Sequence, residues 1–169
     1  TVTIFNRSEV VGRPLASMLA HDGAHVYSFD VDGPLAFEPP PDAECAHALK
    51  ETTIMREQAL AESEIVITGV PSKQFPLVQK EELREGCLCI NFSTYKNFSD
   101  DLAGKAACFI PRVGPMTVLM VIRNALRLRL NWPRGGVDGS AQLAAVIDAA
   151  MAVEAGLARH VRVYRTVTE

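Results

Sequence analysis

Asn6, Arg7, Ser8 and Gly12, with Asp30 following 18 positions after Gly12, are the residues whose types and spacing carry chemistry in this chain. The first four lie in the stretch Asn6-Arg7-Ser8-Glu9-Val10-Val11-Gly12-Arg13-Pro14. It follows the apolar run Thr1–Phe5 and opens a helix-like pattern over Leu15–Ala20. A strand that turns through small and polar residues into a helix presents backbone N–H groups and a positive dipole end to an anion. In a doubly wound sheet the pyrophosphate of a dinucleotide occupies that place. The usual Gly-x-Gly-x-x-Gly is missing. Asp30 ends a second strand-like run, His25–Asp30, with Val31 beside it. An acidic residue about 20 positions beyond the glycine turn accepts hydrogen bonds from ribose hydroxyls and repels a 2′-phosphate. The spacing therefore predicts NAD rather than NADP, with Asp32 a nearby substitute. Arg7 is the residue on which an NADP reading would rest.

Each of these residues also has a plainer role. Ser8 suits a helix N-cap, Gly12 a turn, and Asp30 a solvated strand end. Further candidates lie where later strands end. Gly69, Val70, Pro71 and Ser72 follow the short apolar run Glu64–Thr68, and Asn91, Phe92 and Ser93 close the run Cys87–Phe92. Both sets are expected to line the nicotinamide half of a dinucleotide. Val11 belongs with the first turn, and Thr117 either caps the last helix or touches the cofactor. His21, His25, His47 and His160 are scattered and receive no role. Asp100-Asp101 reads as a solvated helix start. No catalytic residue and no metal site are expected.

The elements that must position these residues alternate strand and helix, the βαβ order of a parallel sheet. The expected fold is α/β, a doubly wound parallel sheet of Rossmann type flanked by helices. Helices are predicted over Val11–Asp22, Thr53–Glu62, Met116–Asn131 and Ser140–Leu157, with a further helix end at Glu81–Gly86. Ala107–Ile110 reads as the last strand of the sheet and His160–Val167 as an edge strand. Pro34–Ala46, containing Pro39-Pro40-Pro41, is expected to be an irregular surface loop.

At 169 residues, 48% hydrophobic and 22% charged, the chain has the makings of one soluble domain with a proper core. A net charge of −3 gives no support for nucleic-acid or membrane-surface binding. No apolar run approaches the roughly 18 residues that span a bilayer. Cys87 and Cys89, two apart on a strand, share a face and are expected in the core, which fits a reducing, cytoplasmic compartment. The sequence opens inside a strand, without Met or signal peptide, so a preceding domain is expected to be absent from it.

Several separated motifs, in order, resemble the methylenetetrahydrofolate dehydrogenase family. Arg7-Ser8-x-x-Val11-Gly12-Arg13-Pro14 is similar to that family's arginine–serine turn. Gly114-Pro115-Met116-Thr117, continued by Arg123-Asn124, is similar to its last helix start. Val70-Pro71-Ser72, Asn91-Phe92-Ser93 and Lys96–Asp101 resemble its monofunctional NAD-dependent branch. The resemblance covers roughly residues 1–131 and implies a dinucleotide-binding domain there, with 132–169 as a C-terminal extension. It also implies a folate-binding catalytic domain preceding this one, tetrahydrofolate as substrate held through that domain, and a homodimer. The family's tyrosine–x–x–x–lysine motif has no match, since Tyr95 and Lys96 are adjacent. Ile110-Pro111-Arg112-Val113 is shorter than the diglycine stretch of the bifunctional members. The implied activity is hydride transfer from 5,10-methylenetetrahydrofolate to NAD. The rivals are an NADP-dependent bifunctional dehydrogenase/cyclohydrolase, a non-catalytic nucleotide-binding module, and another dehydrogenase of the same two-domain architecture acting on a small acid.

Overall fold

The structure, a computed structural model, describes residues 1–41, 48–131 and 162–163. Thr1–Arg112 belongs to one compact unit, and the helix Gly114–Asn131 belongs to a second. The element order is β1 (Val2–Phe5), α1 (Gly12–His21), β2 (Val26–Asp30), β3 (Gly33–Glu38), β4 (Ala48–Glu51), α2 (Arg56–Glu62), β5 (Ile65–Thr68), β6 (Cys87–Asn91), β7 (Ala106–Ile110), α3 (Gly114–Asn131) and β8 (Arg162–Val163).

In the sheet the strands stand in the order β4-β3-β2-β1-β5-β6-β7-β8. From β2 through β7 neighbouring strands are parallel, with Val2 opposite both Val26 and Ile65. The chain goes from β1 to β2 on one side and later returns to β5 on the other. The strand order thus reverses between β1 and β5, and in open α/β sheets ligands bind outside the carboxyl ends at such a point. β1 is buried at all four positions, as a central parallel strand covered on both faces must be. Its one polar side chain, Thr3, shares a 2.8 Å hydrogen bond with Ser63, whose hydroxyl also donates to the Ala59 carbonyl at 2.8 Å.

Two apolar cores form, one joining Val2, Ile4, Ala16, Ala20, Val26, Phe37 and Ile67, the other gathering Leu60, Val66, Val78, Leu83, Phe98 and Leu102. Helix α1 meets the first through Gly12, Ala16 and Ala20, one small residue per turn, which lets its backbone approach the sheet closely. Cys87 and Cys89 share the second core, their sulfurs 3.6 Å apart, as their spacing predicts.

The expected loop over Pro34–Ala46 is corrected. Gly33–Glu38 is strand β3, antiparallel to β2, and β4 pairs antiparallel with β3. The α/β class stands, with an antiparallel edge added to the parallel sheet. Pro34 is tolerated in the second position of β3, and Val31-Asp32 turns into Gly33, whose φ of +99° glycine adopts without strain. The helix expected from Thr53 begins at Arg56. The helix end near Gly86 is a single 3-10 turn, Lys80–Glu82. Asp100 and Asp101 start no helix; they pair with Lys96 and Lys80, at 2.6 and 3.0 Å. The helix expected over Ser140–Leu157 lies outside the described residues, and of the edge strand at His160–Val167 only Arg162–Val163 lies within them.

Candidate cofactor site

At the carboxyl end of β1 the chain turns on Asn6. Its Nδ2 donates to the Gly69 carbonyl at 2.9 Å, and its Oδ1 accepts from the Ser8 amide and hydroxyl at 3.0 and 2.7 Å. Ser8 Oγ accepts in turn from the amides of Val11 and Gly12, at 3.3 and 3.4 Å. One carboxamide therefore ties the β1–α1 turn to the end of β5, and one hydroxyl satisfies the opening amides of α1. An incoming anion reaches those two amides only by displacing Ser8 Oγ. Gly12 is required sterically, because a Cβ there would stand 2.2 Å from the Asn6 carbonyl oxygen.

Asp30 is exposed at the end of β2. Its Oδ2 accepts from the Arg7 amide at 2.9 Å and its Oδ1 from the Val31 amide at 2.7 Å. A carboxylate offers about four acceptor sites, so both oxygens keep capacity for hydroxyl donors. The Arg7 guanidinium is directed elsewhere. Its Nη2 donates to the carbonyls of Ser28, at 3.0 Å, and Gly33, pinning the β2–β3 hairpin to the β1 turn.

Asp30 borders a pocket of about 330 Å³ at the switch point. Phe5, Phe29, Val70, Pro71 and Phe75 give it apolar walls, and Asn6, Arg56 and Val31 complete the lining. Phe5 stacks on Phe29 with ring centroids 5.1 Å apart and meets Phe75 edge-on at 5.5 Å. The Arg56 guanidinium lies 5.3 and 5.4 Å from the Phe5 and Phe75 centroids, within cation–π range. It is held by Glu82 at 3.0 and 3.3 Å and by the carbonyls of Pro76 and Leu77 at 3.0 and 3.2 Å. Because Glu82 offsets Arg56, Asp30 sets the sign of charge among the lining residues. An apolar slot with one carboxylate at its rim suits an uncharged ring attached to a hydroxylated sugar.

Of the residues singled out in the sequence, Asn6, Asp30, Val31, Val70 and Pro71 come together in this pocket. Val70 and Pro71 stand beside Asp30 there. Arg7, Ser8, Val11 and Gly12 build the adjoining turn. Gly69 leaves room for the Phe92 ring, which a Cβ would meet at 1.9 Å. Ser72 Oγ accepts from the Gln74 amide at 3.1 Å, closing a local turn. Asn91 and Ser93 brace the neighbouring loop: Asn91 Nδ2 donates to the Tyr95 carbonyl at 2.8 Å and Ser93 Oγ to the Val70 carbonyl at 2.9 Å. Thr117 is in α3, in the second unit, and its hydroxyl donates to the Val113 carbonyl at 3.0 Å. Phe5, Phe29, Arg56 and Phe75 are missed by sequence reasoning. Phe5 and Phe29 precede the recognised turns and read as strand core, while Arg56 and Phe75 belong to no motif.

Sheet order, switch point and the strand–turn–helix at Asn6–Gly12 define an α/β domain of Rossmann type. The methylenetetrahydrofolate dehydrogenase [NAD(+)] of Saccharomyces cerevisiae is 43% identical over 133 residues, 76% of this chain and 41% of its own length. That of Dictyostelium discoideum is 42% identical over 131 residues, 76% of this chain and 40% of its own. The solved structure of the NAD-dependent 5,10-methylenetetrahydrofolate dehydrogenase from Saccharomyces cerevisiae superimposes with a TM-score of 0.69 at 40% identity, covering 77% of this chain and 42% of that one. A bifunctional protein FolD from Mycoplasmopsis synoviae is more distant, at 26% identity. No protein-family model matches the chain. Over the matched stretch the chain is thus similar to methylenetetrahydrofolate dehydrogenases, at 39–43% identity to three named as NAD-dependent. It spans about two fifths of the length of those relatives.

Proposed function

We propose that residues 1–131 bind NAD and serve as the cofactor half of an enzyme that oxidises 5,10-methylenetetrahydrofolate to 5,10-methenyltetrahydrofolate. The observation that carries this is the Asp30 carboxylate at the rim of an apolar pocket at the β1/β5 switch point. The names of the relatives and the shared fold support the same reading. The residues present fit the cofactor. Asp30 keeps acceptor capacity for ribose hydroxyls, and Gly12 lets α1 start directly against the Asn6 turn at the carboxyl end of β1. NAD supplies, when bound, the hydride acceptor of the reaction. The chain's own residues bind and orient: Phe29, Val70 and Pro71 enclose the apolar end, Asp30 holds the sugar, and the Asn6–Gly12 turn faces the phosphates. No proton acceptor is required of this half, because hydride loss leaves a cation stabilised by the folate nitrogens. The folate is proposed to be held by protein outside the matched stretch.

The test is calorimetric titration of the chain with NAD⁺ and, separately, NADP⁺. The expected result is NAD⁺ binding with much weaker NADP⁺ binding. In Asp30→Ser, loss of charge-assisted hydrogen bonds is expected to weaken NAD⁺ by about tenfold or more and to narrow the gap to NADP⁺. An unchanged preference in Asp30→Ser would remove Asp30 from the site. A preference of the parent chain for NADP⁺ would overturn the NAD reading.

A further inference from the structure

The loop that gives the pocket Val70, Pro71 and Phe75 has no helix or strand of its own, yet both its ends are fastened by one residue, Asn97. Asn97 is fully buried, at 0% exposure. At one end its Oδ1 accepts the Val70 amide at 3.0 Å while its Nδ2 donates to the Val70 carbonyl at 3.1 Å. At the other end its backbone carbonyl accepts the Val78 amide at 2.9 Å. The Ser99 amide donates to the Val78 carbonyl at 3.0 Å, completing a parallel bridge between Val78 and Phe98. Val70 lies just past the end of β5, so the Asn97 side chain takes the part of a missing strand partner.

We propose that Asn97 is a positioning residue for the cofactor. By closing the 70–78 loop at both ends, it fixes the wall that Val70, Pro71 and Phe75 present beside Asp30. The proposal rests on the NAD reading above. Asparagine is selected by chemistry, since its carboxamide both accepts from N–H and donates to C=O of a single residue. Aspartate has no donor for the Val70 carbonyl, and alanine leaves the Val70 amide without its acceptor. A loop ordered before the ligand arrives does not have to be ordered by it, so affinity depends on the staple without any contact between Asn97 and the ligand.

The experiment is calorimetric titration with NAD⁺ of the 169-residue chain and of its Asn97→Ala and Asn97→Asp variants, combined with amide hydrogen exchange at Val70 and Val78. Both variants are expected to keep protection in β1, β5 and β6 and, through the residue-97 backbone carbonyl, at Val78, and to bind NAD⁺ about tenfold more weakly; Asn97→Ala is also expected to exchange faster at Val70. Parent-like affinity in folded variants would make Asn97 a structural staple only and overturn the positioning role. If neither variant folds, the parent chain decides. Its Val70 and Val78 amides are expected to be protected before NAD⁺ is added, and exchange at free-loop rates would overturn the proposal. No NAD⁺ binding by the parent, with those two amides still protected, would defeat the cofactor reading and the positioning role with it while leaving the staple in place.

Discussion

A methyl group on Gly12 would meet the Asn6 carbonyl oxygen at 2.2 Å, and that oxygen belongs to the backbone of the β1 turn. One on Gly69 would meet the far end of the Phe92 ring, a side chain that can rotate away. Gly12→Ala is therefore expected to destabilise the chain by about 2–4 kcal/mol, and Gly69→Ala by less. Thermal unfolding of the two variants checks this, and the opposite ranking would contradict it. Gly12 and Asp30 are legible in the sequence because their spacing matches the strand–turn–helix–strand pattern of a dinucleotide-binding sheet. Ser8 is legible too, although the hydroxyl is occupied by the helix it opens. Asn97 is not legible in that way: its importance comes from two loops meeting on it, and no local pattern records such a crossing.

Helix α2 is joined to the 3-10 turn Lys80–Glu82 by the Arg56–Glu82 pair, whose side chains are 18% and 20% exposed. The same guanidinium holds the carbonyls of Pro76 and Leu77 and covers Phe5 and Phe75. Arg56→Met keeps the stem and removes all of these bonds. It is expected to lower stability by about 1–3 kcal/mol and to loosen the Phe75 wall, weakening NAD⁺ as well. Urea unfolding and NAD⁺ titration of the variant measure both effects, and a variant matching the parent in each would show the clamp to be idle. The parallel strands are legible because their runs are short and bounded by turn residues, with β1 and β5 rich in β-branched residues. Strands β3 and β4 are not, since Pro34 and Pro39–Pro41 outweighed the one contrary signal, the Asp32-Gly33 hairpin dipeptide. Pro34 is tolerated because it stands near the start of β3, outside the β3–β4 register that begins at Leu35, so it faces a partner on the β2 side alone.

The two apolar cores tie Thr1–Arg112 into one unit through its central strands, with Ile4 fully buried in β1. Ile4→Ala removes buried methylene and methyl groups where both neighbouring strands are fixed by register. It is expected to cost about 2–5 kcal/mol and to lower the cooperative transition as a whole. Circular dichroism melting tests this, and a loss below 1 kcal/mol would contradict it. The antiparallel pairing of β2 with β3 has a consequence for redesign. In an all-parallel sheet the carboxylate that chooses between nucleotides is followed by a crossover helix packed into the core. Asp30 instead stands at the bend of a hairpin, fastened to the rest by the parallel β1–β2 ladder, the Arg7 rivet and a few inward residues such as Val26 and Phe37. In the proposed reading nucleotide selectivity is carried at that bend, and because the Arg7 amide bonds Asp30 and the Arg7 guanidinium bonds the Ser28 and Gly33 carbonyls, the bend and the Asn6–Gly12 turn have to be rewritten together.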